Sequence, residues 1–416
     1  MPRQPRAKSD LRFADIAAVN PRCALNGLVE SDLVSFIPMA DVDDGGRWAA
    51  RQARPLQQVR TGYSAFADGD VLFAKITPCT ENGKGCHATN LVNGIGFGST
   101  EFHILRAKAG VLPRLVYHLS QSPDIRWKAA ALMDGSAGQQ RVPADFFRLC
   151  RIADDILDNQ DAKCGLFDAV DEAIDATRRV IEQTRRLKTA VLQDLLTRGL
   201  PGRHSEFREH RQLGSYPADW KLCRLDQIAR VERGKFTHRP RNDPAFYGGP
   251  TPFVQTSDVV NSGDYLRQHS QTLNARGLAV SRVFPKGTIL FVIAGTVGEP
   301  TIASYDVAFP DSVVGITPRD GVNSFFLLRL LQFGHRRVVR TATESAQANI
   351  SLELLRPLPF ALPEPDEQAE IGRILRAVEE RVEHEIESLD RLRLVKSALS
   401  QALLTGRVRC GRLHHA

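Results

Sequence analysis

The sequence predicts a mixed α/β (α+β) chain. It should have two similar globular heads separated by two long helices that pair as a coiled coil, a pseudo-two-fold internal repeat. Three observations predict it. The stretch AVDEAIDATRRVIEQTRRLKTAVLQDLLT, from Ala169 to Thr197, recurs without a gap as AVEERVEHEIESLDRLRLVKSALSQALLT, from Ala377 to Thr405. The offset is 208 and ten of 29 positions are identical, a period long enough to mean a duplicated domain. Both copies carry apolar residues at coiled-coil spacing, and the segments before them present strand-like pieces in the same order.

In the second copy Ile371, Leu375, Val378, Val382, Leu389, Leu392, Leu399 and Leu403 form a seam broken by Glu385 and Lys396. The first copy keeps Phe167, Val170, Ile174, Ile181, Val191 and Leu195, interrupted by Thr177, Thr184 and Lys188. No Gly or Pro lies between Leu166 and Arg198, giving a rod of roughly 50 Å at 1.5 Å per residue. Gly199 with Pro201, and Gly406, supply the stops. The alternative places each helix alone on its own head, but a lone surface helix rarely needs nine turns. The expected division is a head at 1–158, a helix at 159–200, a linker at 201–217, a head at 218–363 and a helix at 364–406.

Each head opens alike, with LRFADIAAV near Leu11 and CRLDQIARV near Cys223 as a short helix or strand start. LVSFIPMADVD and TPFVQTSDVV follow as strand-like pieces, with Asp41 and Asp258 in register. Then FADGDVLFAKI matches FPKGTILFVIA, each with a glycine (Gly69, Gly287) turning into a buried strand. FGSTEFHILRA and DSVVGITPRD are further strands, and LPRLVYHLSQSPDIRWKAA and NSFFLLRLLQFGHRRVVRT are helical. GSAGQQRVPADFFRLCRIA matches ESAQANISLELLRPLPFAL. Leu358–Pro365 reads as an extended proline-rich linker and Gly199–Tyr216 as a loose joint.

A 42% hydrophobic content fits real cores. MPRQPRAKSDLRF lacks the apolar run of a signal peptide and no stretch approaches 18 apolar residues, so a cytoplasmic protein with no membrane partner is expected. Seven scattered cysteines without a CxxC pair point to reduced thiols and to no metal site. Charge is uneven. Residues 1–150 hold 18 Lys+Arg against 14 Asp+Glu and residues 210–358 hold 18 against 12, while 151–209 and 359–416 net −2 and −1. The basic excess therefore sits on the heads, as two polyanion-binding surfaces on a neutral frame would require.

Tests for catalysis are negative. Gly94-Ile95-Gly96-Phe97-Gly98 follows an Asn-Gly turn and precedes a strand-like segment, the wrong setting for a cofactor's phosphates. Asn242-Asp243-Pro244-Ala245-Phe246 lacks the second proline of a base-flipping methyltransferase loop. Asn82-Gly83-Lys84-Gly85 is no phosphate loop, and Cys79 with Cys86-His87 has no partner at ligand spacing. The candidates are therefore for binding. Arg51, Arg54, Lys75, Lys84, Arg233, Lys235, Arg239, Arg241, Arg336 and Arg337 supply phosphate contacts. Gln139, Gln140, Arg141, Gln347 and Asn349 carry side chains able to make paired bonds to purine edges. A solvated face, or a turn contact, is the plainer alternative for each.

Several of these pieces resemble one family, the specificity subunit of type I restriction–modification enzymes. They are the turns Gly69-Asp70-Val71-Leu72 and Gly287-Thr288-Ile289-Leu290, the ends Gly138-Gln139-Gln140-Arg141-Val142 and Ala348-Asn349-Ile350-Ser351, and Pro363-Glu364-Pro365-Asp366-Glu367-Gln368. The rods ending Leu195-Leu196-Thr197 and Leu403-Leu404-Thr405-Gly406 also match. The first half departs at Arg151-Ile152-Ala153-Asp154 and Asn159-Gln160, where a proline-rich stretch and Glu-Gln are usual. The resemblance implies two target-recognition domains, each reading half of a split double-stranded DNA site, with the helices pairing antiparallel as a spacer between them. It implies two docked methyltransferase subunits and a motor-nuclease subunit, with S-adenosylmethionine, ATP and Mg on those partners and no cofactor or catalysis on this chain. The competing readings are a DNA methyltransferase or nuclease with unrecognised motifs, and a coiled-coil scaffold.

Overall fold

The computed structural model describes residues 11–408 apart from 26, 137, 294–298 and 345–350, and only the backbone of 335–344. The chain divides into two compact units, residues 1–180 with 385–416, and residues 181–384. Each long helix contributes a portion to both.

In the first unit two four-stranded sheets form the head. One runs Ala17–Val19, Phe102–Ala107, Val71–Ala74, Gly85–His87, all antiparallel. The other runs Gln52–Pro55, Leu33–Ile37, Ile95–Gly98, Ser64–Ala67, with one parallel pair. Gly69 turns at φ +86°, which only glycine holds without strain, and Asp70 just after it is buried against Arg106 by two 2.7 Å bonds. In the glycine run at 94–98, Gly96 and Gly98 are required by packing. A Cβ on Gly96 would fall 2.2 Å from the Phe66 ring on the neighbouring strand.

Helices Pro113–Ser120, Pro123–Ala131 and Asp145–Leu149 cover the first sheet. Their cluster around Phe13, Phe73 and Phe147 also takes in Cys164 and Phe167 of the first rod and Leu403 and Leu404 from beyond the second. Lys396 of the second rod meets Asp171 of the first at 2.5 Å. Numbers rise along one rod as they fall along the other, so the rods are antiparallel here.

The second unit repeats the plan with a five-stranded and a four-stranded sheet. Its helical layer has one long helix, Ser324–Glu344, where the first head breaks in two at Pro123, and a short helix Leu352–Leu355. Leu195 and Leu196 of the first rod share a core with Ile371 and Leu375 of the second, and Lys188 meets Glu379 at 3.0 Å. The rods are antiparallel here as well.

The first rod spans Gln160–Arg198 and the second Pro365–Leu399, continued by a π-helical turn Ser400–Leu404. The first begins before Gly165, earlier than the Gly-free stretch alone suggests. Lys163 helps hold that start, its Nζ donating to the carbonyls of Asp155 and Ile156. Of the eleven expected pairing positions, Ile174, Ile181, Leu195, Leu389 and Leu403 are buried. Val170, Val191, Val378, Val382, Leu392 and Leu399 are half-buried.

One expectation is corrected. The stretch read as a loose joint folds as an antiparallel hairpin, Phe207–His210 with Gly214–Pro217, because Tyr216 is buried against the head behind it and Gly214 supplies a turn at φ +74°. Arginine- and histidine-rich composition hid a strand pair with a single apolar face.

Candidate nucleic-acid interface

Each head is seated on its rod by residues that correspond between the halves. In the first unit Gln160 at the rod's start accepts from Leu112 N–H at 2.8 Å and donates to Gly110 O at 2.9 Å. In the second, Gln368 accepts from Asn323 N–H at 2.8 Å and donates to Gly321 O at 3.2 Å. These are the same two bonds made twice. Higher on each rod an acid meets a cation or imidazole from the head's helix. His118 Nε2 lies 2.9 Å from Asp168 and its Nδ1 3.9 Å from Asp171, with Arg114 also on Asp168. Burial pushes the His118 imidazole below its ordinary range, so it is neutral at pH 7 and donates from Nε2. In the second unit Arg329, buried, holds Glu379 and Asp264 together.

With the head fixed below, its remaining loops carry the candidate cations. In the first head Thr77 N–H donates to Gln140 O and Val142 N–H to Lys75 O, while Ala74 N–H donates to Lys84 O. Lys75, Lys84, Gln139, Gln140 and Arg141 are thereby gathered at two adjoining loops. Asp134 and Arg141 exchange backbone bonds at 3.0 and 2.8 Å, closing a loop with Gln139 exposed near its tip. The Arg141 guanidinium grips Glu101 with bonds of 2.9 Å and also donates to Gln139 O at 3.0 Å. That grip keeps Glu101 below the usual carboxylate range. Arg141 thus braces the loop that presents Gln139. Arg51 and Arg54 belong to the other sheet's edge. Arg51 lies 4.2 Å over Trp48 and Arg54 3.9 Å over Phe36.

In the second head Phe236 is buried with Phe253 and Leu273 and pins the loop around it. Arg233 and Lys235 are exposed on either side of Gly234, whose Cβ would strike the Phe309 carbonyl. Arg239 donates to the carbonyls of Phe236 and His238, and both Arg239 and Arg241 reach Asp311. Arg336 and Arg337 lie in the helix Ser324–Glu344 where only backbone is described, and Gln347 and Asn349 lie outside the described residues. Sequence reasoning missed His118, Arg329 and the Gln160 and Gln368 anchors as joint residues. Aligning the heads at their own offset of 211, rather than the rods' 208, would have put His118 opposite Arg329.

Among the described residues no group of three or more His, Cys, Asp or Glu could hold a metal ion, and no helix is long and apolar enough to cross a membrane.

Comparison with known proteins agrees with this geometry. Residues 217–392 match the type I restriction modification DNA specificity domain. The EcoAI specificity subunit of Escherichia coli is 38% identical over 136 residues, covering 32% of this chain and 22% of that protein. The MjaVIII specificity subunit of Methanocaldococcus jannaschii is 22% identical over 344 residues, 76% of this chain and 79% of that protein. The matched stretch therefore spans less than a quarter of the EcoAI protein, and 23% of its EcoEI counterpart. In fold, the chain superposes on the HsdS subunit from Thermoanaerobacter tengcongensis with a TM-score of 0.51 at 18% identity, covering 96% of each chain. The second half of the chain is thus similar to the DNA specificity domain of type I restriction–modification systems, and the chain shares the fold of an HsdS subunit along nearly its whole length.

Proposed function

We propose that this chain is the DNA-reading subunit of a type I restriction–modification complex. Each head reads one half of a bipartite double-stranded site, and the rods set the gap between the halves. The observation that carries this is a repeated frame bearing unlike grips. The glutamine anchors and the rod acids recur residue for residue. The candidate cations are held differently in the two heads: Arg51 lies over Trp48 and Arg54 over Phe36 in the first, while Arg239 and Arg241 reach Asp311 in the second.

Catalysis belongs to partners under this reading. Two methyltransferase subunits bind S-adenosylmethionine, a motor-nuclease subunit uses ATP and Mg, and this chain binds no cofactor and works in the cytoplasm. Two copies of one partner fit the rods, because Leu187 and Val395, equivalent at the offset of 208, are both exposed apolar residues. In the test, the chain is expressed with its cognate methyltransferase subunit and the methylated motif is mapped by sequencing. A split adenine-methylated motif is expected. Inserting four residues into one rod should shift a head by about 6 Å and about 40°, altering the gap and leaving both half-sites unchanged. Methyl transfer by the purified chain alone, or a changed half-site, would defeat the reading.

A further inference from the structure

The end of each rod meets its head at a groove, and the two grooves are built from corresponding residues. In the second unit Leu196 and Thr197 face Leu330, Phe333, Phe360 and Ala361. In the first unit Leu404 and Thr405 face Leu119, Ser122, Arg151 and Ile152. The rod residues correspond at the offset of 208, and Leu119 and Ser122 correspond to Leu330 and Phe333 at 211.

The filling differs. In the second unit the hairpin Phe207–Pro217 brings Leu213 and Tyr216 into the groove, leaving a cavity of about 40 Å³. In the first unit no described residue takes that part, and the cavity is about 680 Å³. Its floor is apolar, from Leu119, Ile125, Ile152 and Leu404, all buried by their own neighbours except on this side. Arg151 and Arg407 stand exposed on its rim, while Lys128 is paired with Asp124 at 2.6 Å.

We infer that this groove is the docking site for a segment of the methyltransferase subunit. That segment lays an aliphatic or aromatic side chain on the floor, as Leu213 and Tyr216 do in the other unit, and turns carboxylates toward Arg151 and Arg407. A protein segment fits because the same molecule already seats one on the corresponding surface. A nucleic-acid backbone would leave the floor wet. The acidic character follows from the rim, since opposite charge across an interface sets partner choice. The inference rests on the function proposed above.

The test uses the full chain and its purified cognate methyltransferase subunit. Both rim arginines are exposed, so R151E/R407E should fold as the parent does, checked by circular dichroism. Its affinity for the methyltransferase should fall about tenfold or more, with DNA retention by the free chain unchanged. Affinity within twofold of the parent overturns the inference. With Lys128 replaced by the photo-crosslinker p-benzoylphenylalanine, the expected product joins this chain to an acidic, apolar segment of the methyltransferase. A crosslink only to this chain's own residues 1–10 or 409–416, or none to the methyltransferase, also overturns it. A parent chain that does not bind the methyltransferase at all defeats the functional reading itself, and the groove with it.

Discussion

The joint in the first unit and the joint in the second solve one mechanical problem with different chemistry. Each fixes a head's helix to acids on the rod, one of which meets a lysine of the other rod. In the first unit His118 donates to Asp168, and the neighbouring Asp171 takes Lys396. In the second Arg329 and Lys188 both meet Glu379. A turn away, Arg114 pairs with Asp168 in one joint, while in the other Arg376 lies 4.6 Å over Phe325 at the corresponding positions. Duplication preserves the place of a contact more firmly than its chemistry. The consequence is that one joint holds a buried guanidinium and the other an imidazole that burial pushes below its ordinary range.

The sharpest break is at Arg329. Replacing it with Met leaves Asp264 and Glu379 facing each other at a joint with no buried guanidinium, and should cost about 3–5 kcal/mol in urea unfolding. His118→Gln at pH 7.5 should cost less, because it removes one hydrogen bond from an uncharged donor to a carboxylate, worth about 1.5–3 kcal/mol.

The next contrast is in pH. His118 faces Asp168 and Asp171, with Arg114 and Lys396 beside them, yet burial dominates and lowers its folded pKa below the ordinary 6.5. The folded chain therefore takes up fewer protons than the unfolded one. Stability should be full above about pH 6.5 and fall as pH drops from there through the folded pKa. His118→Gln should flatten part of that fall, measured by melting temperature between pH 7.5 and 5.5. His87 and His103, also pushed down by burial, account for the same sense of change that remains. Arg329→Gln should leave the slope over that range unaltered.

Gln160→Ala and Gln368→Ala probe what the joints share. Gln160→Ala strips two bonds from backbone groups and Gln368→Ala strips three, because Gln368 also donates to Pro363 O, so both should cost about 1–3 kcal/mol with Gln368 at the upper end. A large inequality in denaturation would mean that the two seats are not alike. The smallest effect belongs to Lys188→Ala and Lys396→Ala, within about 1 kcal/mol each, because both pairs are partly solvated.

How much of this was legible in the chain depended on whether the signal was local. Rods announce themselves through spacing, and the glycine turns at 69 and 287 hold nearly equal φ, +86° and +88°, as their shared context implied. Of the eleven pairing positions named from periodicity, Ile174, Ile181, Leu195, Leu389 and Leu403 are buried and the rest are half-buried. Pairing across long separations left no such trace. Glu101 and Arg141 are 40 residues apart, and His118 and Asp168 are 50. Periodicity reports which face of an element is buried, while these bonds depend on which elements the fold brings side by side. The hairpin Phe207–Pro217 was unreadable for another reason. Four of its residues are charged or histidine, and its apolar contribution to the groove is Leu213 and Tyr216. Of the candidate grips, the sequence grouped Arg141 with Gln139 by adjacency alone. Its bond to Glu101 makes it a brace.

The core that seats the first head includes Leu403 and Leu404, which follow every residue of the second unit in the chain. Ribosomal synthesis thus releases the second head with all its parts while the first still waits for a missing wedge. The half that is made earliest is the last that can finish folding, and until then its hydrophobic underside is in the care of chaperones or neighbours. Premature stops near the 3′ end of the message should accordingly injure the N-terminal head first.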